Sequence, residues 1–210
     1  MEDVMSTTTQ QYRPSRGDVA GMWTFLGAGA VIAVWAVVAA VLRIIEVLPN
    51  RDVQVPAEFA GTVAEAPIGP DGAGVPVVLD RASITAETLP ALSVASLVIE
   101  QVIAAATVVV VVVCLVLLSW SVMRGRVFSR RNTRLVTIAG FTGLIGYAAV
   151  PFFANMAANG AFAEISGRAF DNVVMAVDLA PLLLLAFISA LATVVFSIGD
   201  RLQRDTEGLV

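Results

Sequence analysis

Four apolar runs constrain this chain more than any other feature, at about 23–42, 92–122, 135–153 and 173–198. A bilayer core of roughly 30 Å needs about 20 apolar helical residues to cross it. All four runs reach or approach that length, and 58% hydrophobic against 14% charged residues agrees. The expected fold is an all-α integral membrane protein, a four-transmembrane-helix bundle. Four spans and one sizeable loop use up most of the 210 residues, which leaves no room for a separate soluble domain. The segments read as an N-terminal tail at 1–22, a transmembrane domain at 23–198 that includes a β-containing loop at 48–91, and a C-terminal tail at 199–210.

Orientation follows from arginine. The connection between runs two and three holds Arg124, Arg126, Arg130, Arg131 and Arg134 with no acid, whereas residues 43–90 hold three arginines and seven acids. Cytoplasmic loops carry the excess of basic residues. The 124–134 connection is therefore expected inside, both termini cytoplasmic (N-in, C-in) and the 48–91 loop extracytoplasmic. Trp23 and Trp120 would then mark the inner interface. The five arginines set topology first and could also attract anionic lipid head groups. All thirteen basic residues are arginine, and Ala and Val are abundant, a compositional habit expected of a GC-rich bacterium, so the expected location is a bacterial plasma membrane. The first run is longer than the apolar core of a signal peptide, so it is expected to remain as a span.

Several chemistries are set aside at this point. Histidine is absent, which removes imidazole ligation and the usual proton shuttle. The single cysteine, Cys114, sits mid-span and reads as a small buried apolar residue. A net charge of −4 gives no reason to expect a nucleic-acid partner. No metal-ligand cluster, phosphate loop or nucleophile–base pair is visible, so no cofactor and no enzymatic activity are expected.

Within the 48–91 loop, 53–55, 75–79 and 83–85 look like short strands and 67–74 like an exposed turn. They are expected to form a small antiparallel sheet resting on the helix ends, since about forty residues bury little core alone. The segment 85–90 reads as the start of helix two, with a hydroxyl cap and Pro90 in its first turns. The loop at 155–172 reads as short, with room for one helical turn.

Small residues mark where helices approach. Gly29, Ala33, Ala36 and Ala40 fall on one face of the first helix, and Ala139, Gly143 and Gly146 on one face of the third. Packing within the bundle is the first reading of both stripes, ahead of a dimer seam. The polar groups of interest lie near the outer leaflet. Asp178 reads as two turns inside span four, next to a kinking Pro181; Glu100 and Gln101 sit in span two, and Arg43 and Glu46 close span one. A carboxylate in lipid is costly unless paired or wet. Asp178 is therefore expected to face helix one or two, within reach of Arg43, Glu100 or Gln101. This set is either a structural ion pair or a polar pocket for a proton, an ion or a small cationic ligand.

Two blocks resemble a known family. Gly125-Arg-Val-Phe-Ser-Arg-Arg-Asn-Thr-Arg-Leu-Val-Thr-Ile-Ala-Gly140 is similar to a G-x-x-F-S-x-x-N-x-x-x-L-x-x-x-G pattern. The 195–210 block carries Val195-Phe196, then Gly199 and Leu202, then an acidic stretch closing on Leu209-Val210. Both resemble the bacterial four-span family catalogued as domain of unknown function 2975. The resemblance implies four spans, an outer β-containing loop and a regulatory or stress-response setting, with no established activity. As structure, Phe128 is expected at the inner interface, Ser129 or Asn132 as the cap of helix three, and Gly199 as the point where helix four ends or bends. The functional expectation is a non-catalytic accessory or signalling component with an unknown protein partner. The alternative is a small transporter or channel subunit using the region of Asp178 and Glu100.

Overall fold

Long uninterrupted apolar sequence gives long helices here, because in lipid every backbone polar group must be satisfied within its own segment. The computed structural model describes residues 16–170, 172 and 174–207. Most of the N-terminal tail and the closing Gly208-Leu209-Val210 of the second block lie outside the described residues. The elements in order are α1 (Arg16–Val47), β1 (Val53–Ala66), β2 (Val75–Ala86), α2 (Ala91–Met123), α3 (Arg130–Ile165) and α4 (Leu179–Glu207). All four helices are long and apolar enough to cross a membrane. At 1.5 Å per residue, the 33 residues of α2 and 36 of α3 run to about 50 Å, so both extend well beyond a bilayer core.

The helices pack serially: α1 on α2, α2 on α3 and α3 on α4. Small residues set the seams, as close backbone approach demands where water gives no driving force. Gly29 of the predicted α1 stripe faces α2, where an added Cβ would come within 3.1 Å of Val112. Ala40 of the same stripe is buried. On α3, Gly146 lies so close to Thr107 of α2 that a Cβ would overlap it. Gly140 faces Ser189 of α4, while a Cβ on Gly143 would meet open space. Of the glycines in the predicted α3 stripe, Gly146 serves the α2 seam and Gly143 neither seam, while Gly140, outside that stripe, serves the α4 seam. The outward faces of α1 and α4 are large and apolar, with Trp35, Leu42, Leu183 and Phe187 all exposed.

The residues between α1 and α2 form one antiparallel hairpin, longer than the short strands expected. Val53 pairs with Ala86 at its base and Ala66 with Val75 at its far end. A bulge between Glu58 and Thr62 divides it, with Gly61 at φ +75, where a Cβ would be strained. The turn at 67–74 holds a single 3-10 turn, Pro70–Gly72. The base of the hairpin supplies the chain's one cluster of buried apolar side chains among the described residues. Val53, Val55 and Ala57 of β1 pack with Val47, Leu97, Ala157, Ala161 and Phe162. This core lies at the helix ends that face the hairpin, where water drives burial.

Several helix boundaries differ from the sequence expectation. Thr85 belongs to β2, and α2 begins only at Ala91, with Pro90 in the N-cap position and no side-chain cap. The entry is fixed instead by Asn50, whose side chain accepts from the Leu89 amide at 2.8 Å and donates to the Leu89 carbonyl at 3.0 Å. Helix α3 runs through Pro151 to Ile165, so much of the expected 155–172 loop is helical. Helix α4 begins at Leu179, not at 173, which puts Pro181 in its first turn. There the missing N–H has no intrahelical partner to lose, so the proline does not require a kink.

At the opposite end the two blocks meet. Phe128 packs edge-on against Phe196 at 5.7 Å, and its ring occupies the space a Cβ on Gly199 would need. Helix α4 does not end at Gly199, because it continues to Glu207. The glycine is the floor for Phe128. Ser129 is the N-cap of α3, accepting from the Asn132 amide at 3.2 Å. The Asn132 side chain is fully buried and donates to the carbonyls of Arg126 and Val127 at 2.7 and 2.9 Å, which holds the α2–α3 connection in shape.

Candidate functional site

The four polar residues singled out from sequence do not form one cluster. Three gather on α1 and α2. Arg43 pairs with Glu46 at 2.9 Å and donates to the Gln54 carbonyl of β1, and its charge also acts on Glu100. Gln101 donates to Glu100 at 3.3 Å. Arg43 is thus a fastener between the end of α1 and the hairpin base. Asp178 lies elsewhere. It is exposed, immediately before α4, and its Oδ1 accepts from the Ala180 amide at 3.1 Å. The expected approach to Arg43, Glu100 or Gln101 does not occur. The apolar run from 173 was read as helix, but the helix starts at Leu179 and packs on α3, so Asp178 is a cap at the helix end.

Asp178 does face a cavity. A cleft of about 810 Å³ lies between the bulged part of the hairpin, the half of α3 nearer the hairpin and the approach to α4. Its walls include Glu58 and Arg81 from the strands, Tyr147, Val150 and Pro151 from α3, and Met175, Asp178 and Leu179. A second hollow of about 340 Å³ shares Glu58, Arg81, Pro151 and Ala176 with it and reaches Asn155. Glu58 and Arg81 are directly opposed across the strands and form an ion pair at 2.6 Å. Among the described residues no group of three or more His, Cys, Asp or Glu is placed to hold a metal ion.

Two fastenings set the position of the hairpin over this cleft. Asn172 donates to the Glu58 carbonyl at 2.8 Å and accepts from the Ala60 amide at 3.1 Å, so its side chain substitutes for a pairing strand at the bulge. Phe59 then packs edge-on against Phe162 at 5.1 Å and reaches Phe170 at 6.3 Å. Sequence reasoning missed Glu58, Arg81, Asn172 and this aromatic trio. The signal available was weak: a Glu and an Arg in separate strands become neighbours only once the hairpin register is known.

At the other end, Arg124, Arg126, Arg130, Arg131 and Arg134 are all exposed, as a basic surface requires. Arg124 lies over the Trp120 ring at 5.1 Å, a cation–π contact at one of the expected interfacial tryptophans. The predicted helical tail is present to Glu207, with Asp200 largely buried and paired to Arg204 at 2.8 Å. Compared with protein-family models, curated proteins and solved structures, the chain matches none.

Proposed function

We propose that the protein is a non-catalytic accessory or signalling component of a bacterial plasma membrane, and that the far half of the hairpin is its partner-binding element. The observation that carries this reading is the contrast between the two halves of the hairpin. The base is fixed by Arg43, Asn50, Asn172 and the Phe59 cluster. Beyond the bulge, the paired Val63 and Val78 are 70% and 64% exposed, and Ile68 at the tip is 70% exposed. A two-stranded ribbon also leaves two strand edges without partners, which another chain can extend.

The orientation in this proposal is N-in and C-in, with the hairpin extracytoplasmic. Its support is the five exposed arginines at the end away from the hairpin. On that side they would meet anionic head groups. Membership of the four-span family that the two blocks resemble belongs to the same proposal. Its support is the contact of Phe128 from one block with Phe196 and Gly199 from the other.

The test is photo-crosslinking in native membranes from a reactive residue at Val78. One discrete protein adduct is expected there, with only lipid adducts from a reactive residue at Phe187. The transport alternative would displace this reading if Val78 gave no protein adduct and the purified protein carried a pH-dependent cation flux in liposomes.

A further inference from the structure

We propose that the cleft beneath the hairpin is a binding site for a single membrane lipid with a zwitterionic, amine-bearing head group. The first reason is its level. The stretch from Leu179 to Ile198 spans about 30 Å as helix, one bilayer core, with Asp178 just before it and Asp200 just after. Asp178 therefore lies at the bilayer boundary on the hairpin side. On α3, the roughly 30 Å rising from Arg134 ends near Ala154, so Tyr147, Val150 and Pro151 lie just below the same boundary. Glu58 and Arg81 belong to the hairpin above it. The cleft straddles the level where lipid head groups meet acyl chains.

The second reason is chemistry. Below the boundary the wall is apolar, through Val150, Pro151, Met175 and Leu179. Above it stand one cation and two anions: Arg81, Glu58 and Asp178. Arg81 is the cation of the cleft, and its bond to Glu58 uses one of five guanidinium N–H donors. Its side chain is 81% exposed, so the remaining fork is open to a phosphate. Asp178 keeps its Oδ2 without a hydrogen-bond partner among the described residues, since only Oδ1 is used in capping α4. A phosphate beside Arg81 and an ammonium beside Asp178 reproduce the order of charges in phosphatidylethanolamine. An anionic head without an amine would leave the Asp178 carboxylate facing it uncompensated, since Glu58 is already paired with Arg81. The volume of about 810 Å³ falls in the range of small-ligand sites.

Two substitutions test this without disturbing the fold. Asp178→Asn keeps the helix cap, because Asn caps as well as Asp, and removes only the charge. Arg81→Gln breaks an exposed ion pair, which contributes little to stability. Native mass spectrometry of the full-length protein, released from nanodiscs of equal phosphatidylethanolamine and phosphatidylglycerol, reads the lipid retained. The wild type is expected to keep one phosphatidylethanolamine in at least about threefold preference. Both variants should lose that preference, and Arg124→Gln at the opposite end should keep it. Equal retention of the two lipids by the wild type would overturn the proposal, as would a preference unchanged in both variants. Displacement of the bound lipid by free phosphoethanolamine would also overturn it, because the apolar wall would then contribute nothing. The Val78 crosslink is independent of this outcome, so the two readings can fail separately.

Discussion

Asn50 offers the sharpest test of how the hairpin is held. It sits three residues after α1 at φ +51, and its side chain makes both bonds to the backbone of Leu89, just before α2. Replacing it separates two effects. Asn50→Gly removes both hydrogen bonds but tolerates the left-handed backbone. Each bond contributes about 0.5–1.5 kcal/mol net, so their loss is worth about 2 kcal/mol. Asn50→Ala loses the same bonds and adds roughly 1 kcal/mol or more, because a Cβ is disfavoured at that φ. Asn50→Asp keeps the acceptor for the Leu89 amide and loses only the donor, for about 1 kcal/mol. The assay is amide hydrogen exchange at Leu89 in detergent. A 2 kcal/mol loss of local stability corresponds to roughly 30-fold faster exchange, and 3 kcal/mol to about 160-fold. The expected order is wild type, Asp, Gly, Ala, from slowest to fastest. If the glycine variant exchanged at the wild-type rate, the side-chain bonds would contribute nothing. If glycine and alanine were equal, the backbone argument would be wrong.

Gly146→Val should lower the melting temperature in detergent by overpacking against Thr107, at about 1–3 kcal/mol, while Gly143→Ala should be silent because its Cβ meets nothing. Thr107→Gly should restore much of the Gly146→Val loss if the clash is the cause. Gly199→Leu should likewise destabilise, with partial recovery on adding Phe128→Ala, and recovery failing would disprove the Phe128–Gly199 contact as the reason. In a Cys114→Ala background, a cysteine at Gly72 should react with an impermeant maleimide added outside intact cells, and one at Gly125 only after lysis; the reverse pattern would invert the proposed topology.

Periodicity and length made the four helices legible, because an apolar run of span length has few other uses. The α1 stripe was legible for the same reason: Gly29 to Ala40 recur on one face, and that face packs on α2. What the sequence hid was where each helix stops. Hydropathy continues smoothly through 173–178, yet the helix waits for Asp178, whose carboxylate can cap it. In the same way α3 continues past Phe153, because apolar Ala157, Ala158, Ala161 and Phe162 are needed in the core under the hairpin. Hydropathy reports burial from water and does not distinguish lipid from a protein core. The misplacement of Asp178 followed from that. Because α4 starts only at Leu179, Asp178 moves from inside the helix to the position just before it. Its partners then change from the charges on α1 and α2 to the lining of a cleft with Glu58 and Arg81. Those two were invisible as a pair because 23 positions separate them and a bulge shifts the register between them and the hairpin tip. The polar groups that shape this end of the molecule are thus set by strand pairing and helix termini, neither of which leaves a periodic trace.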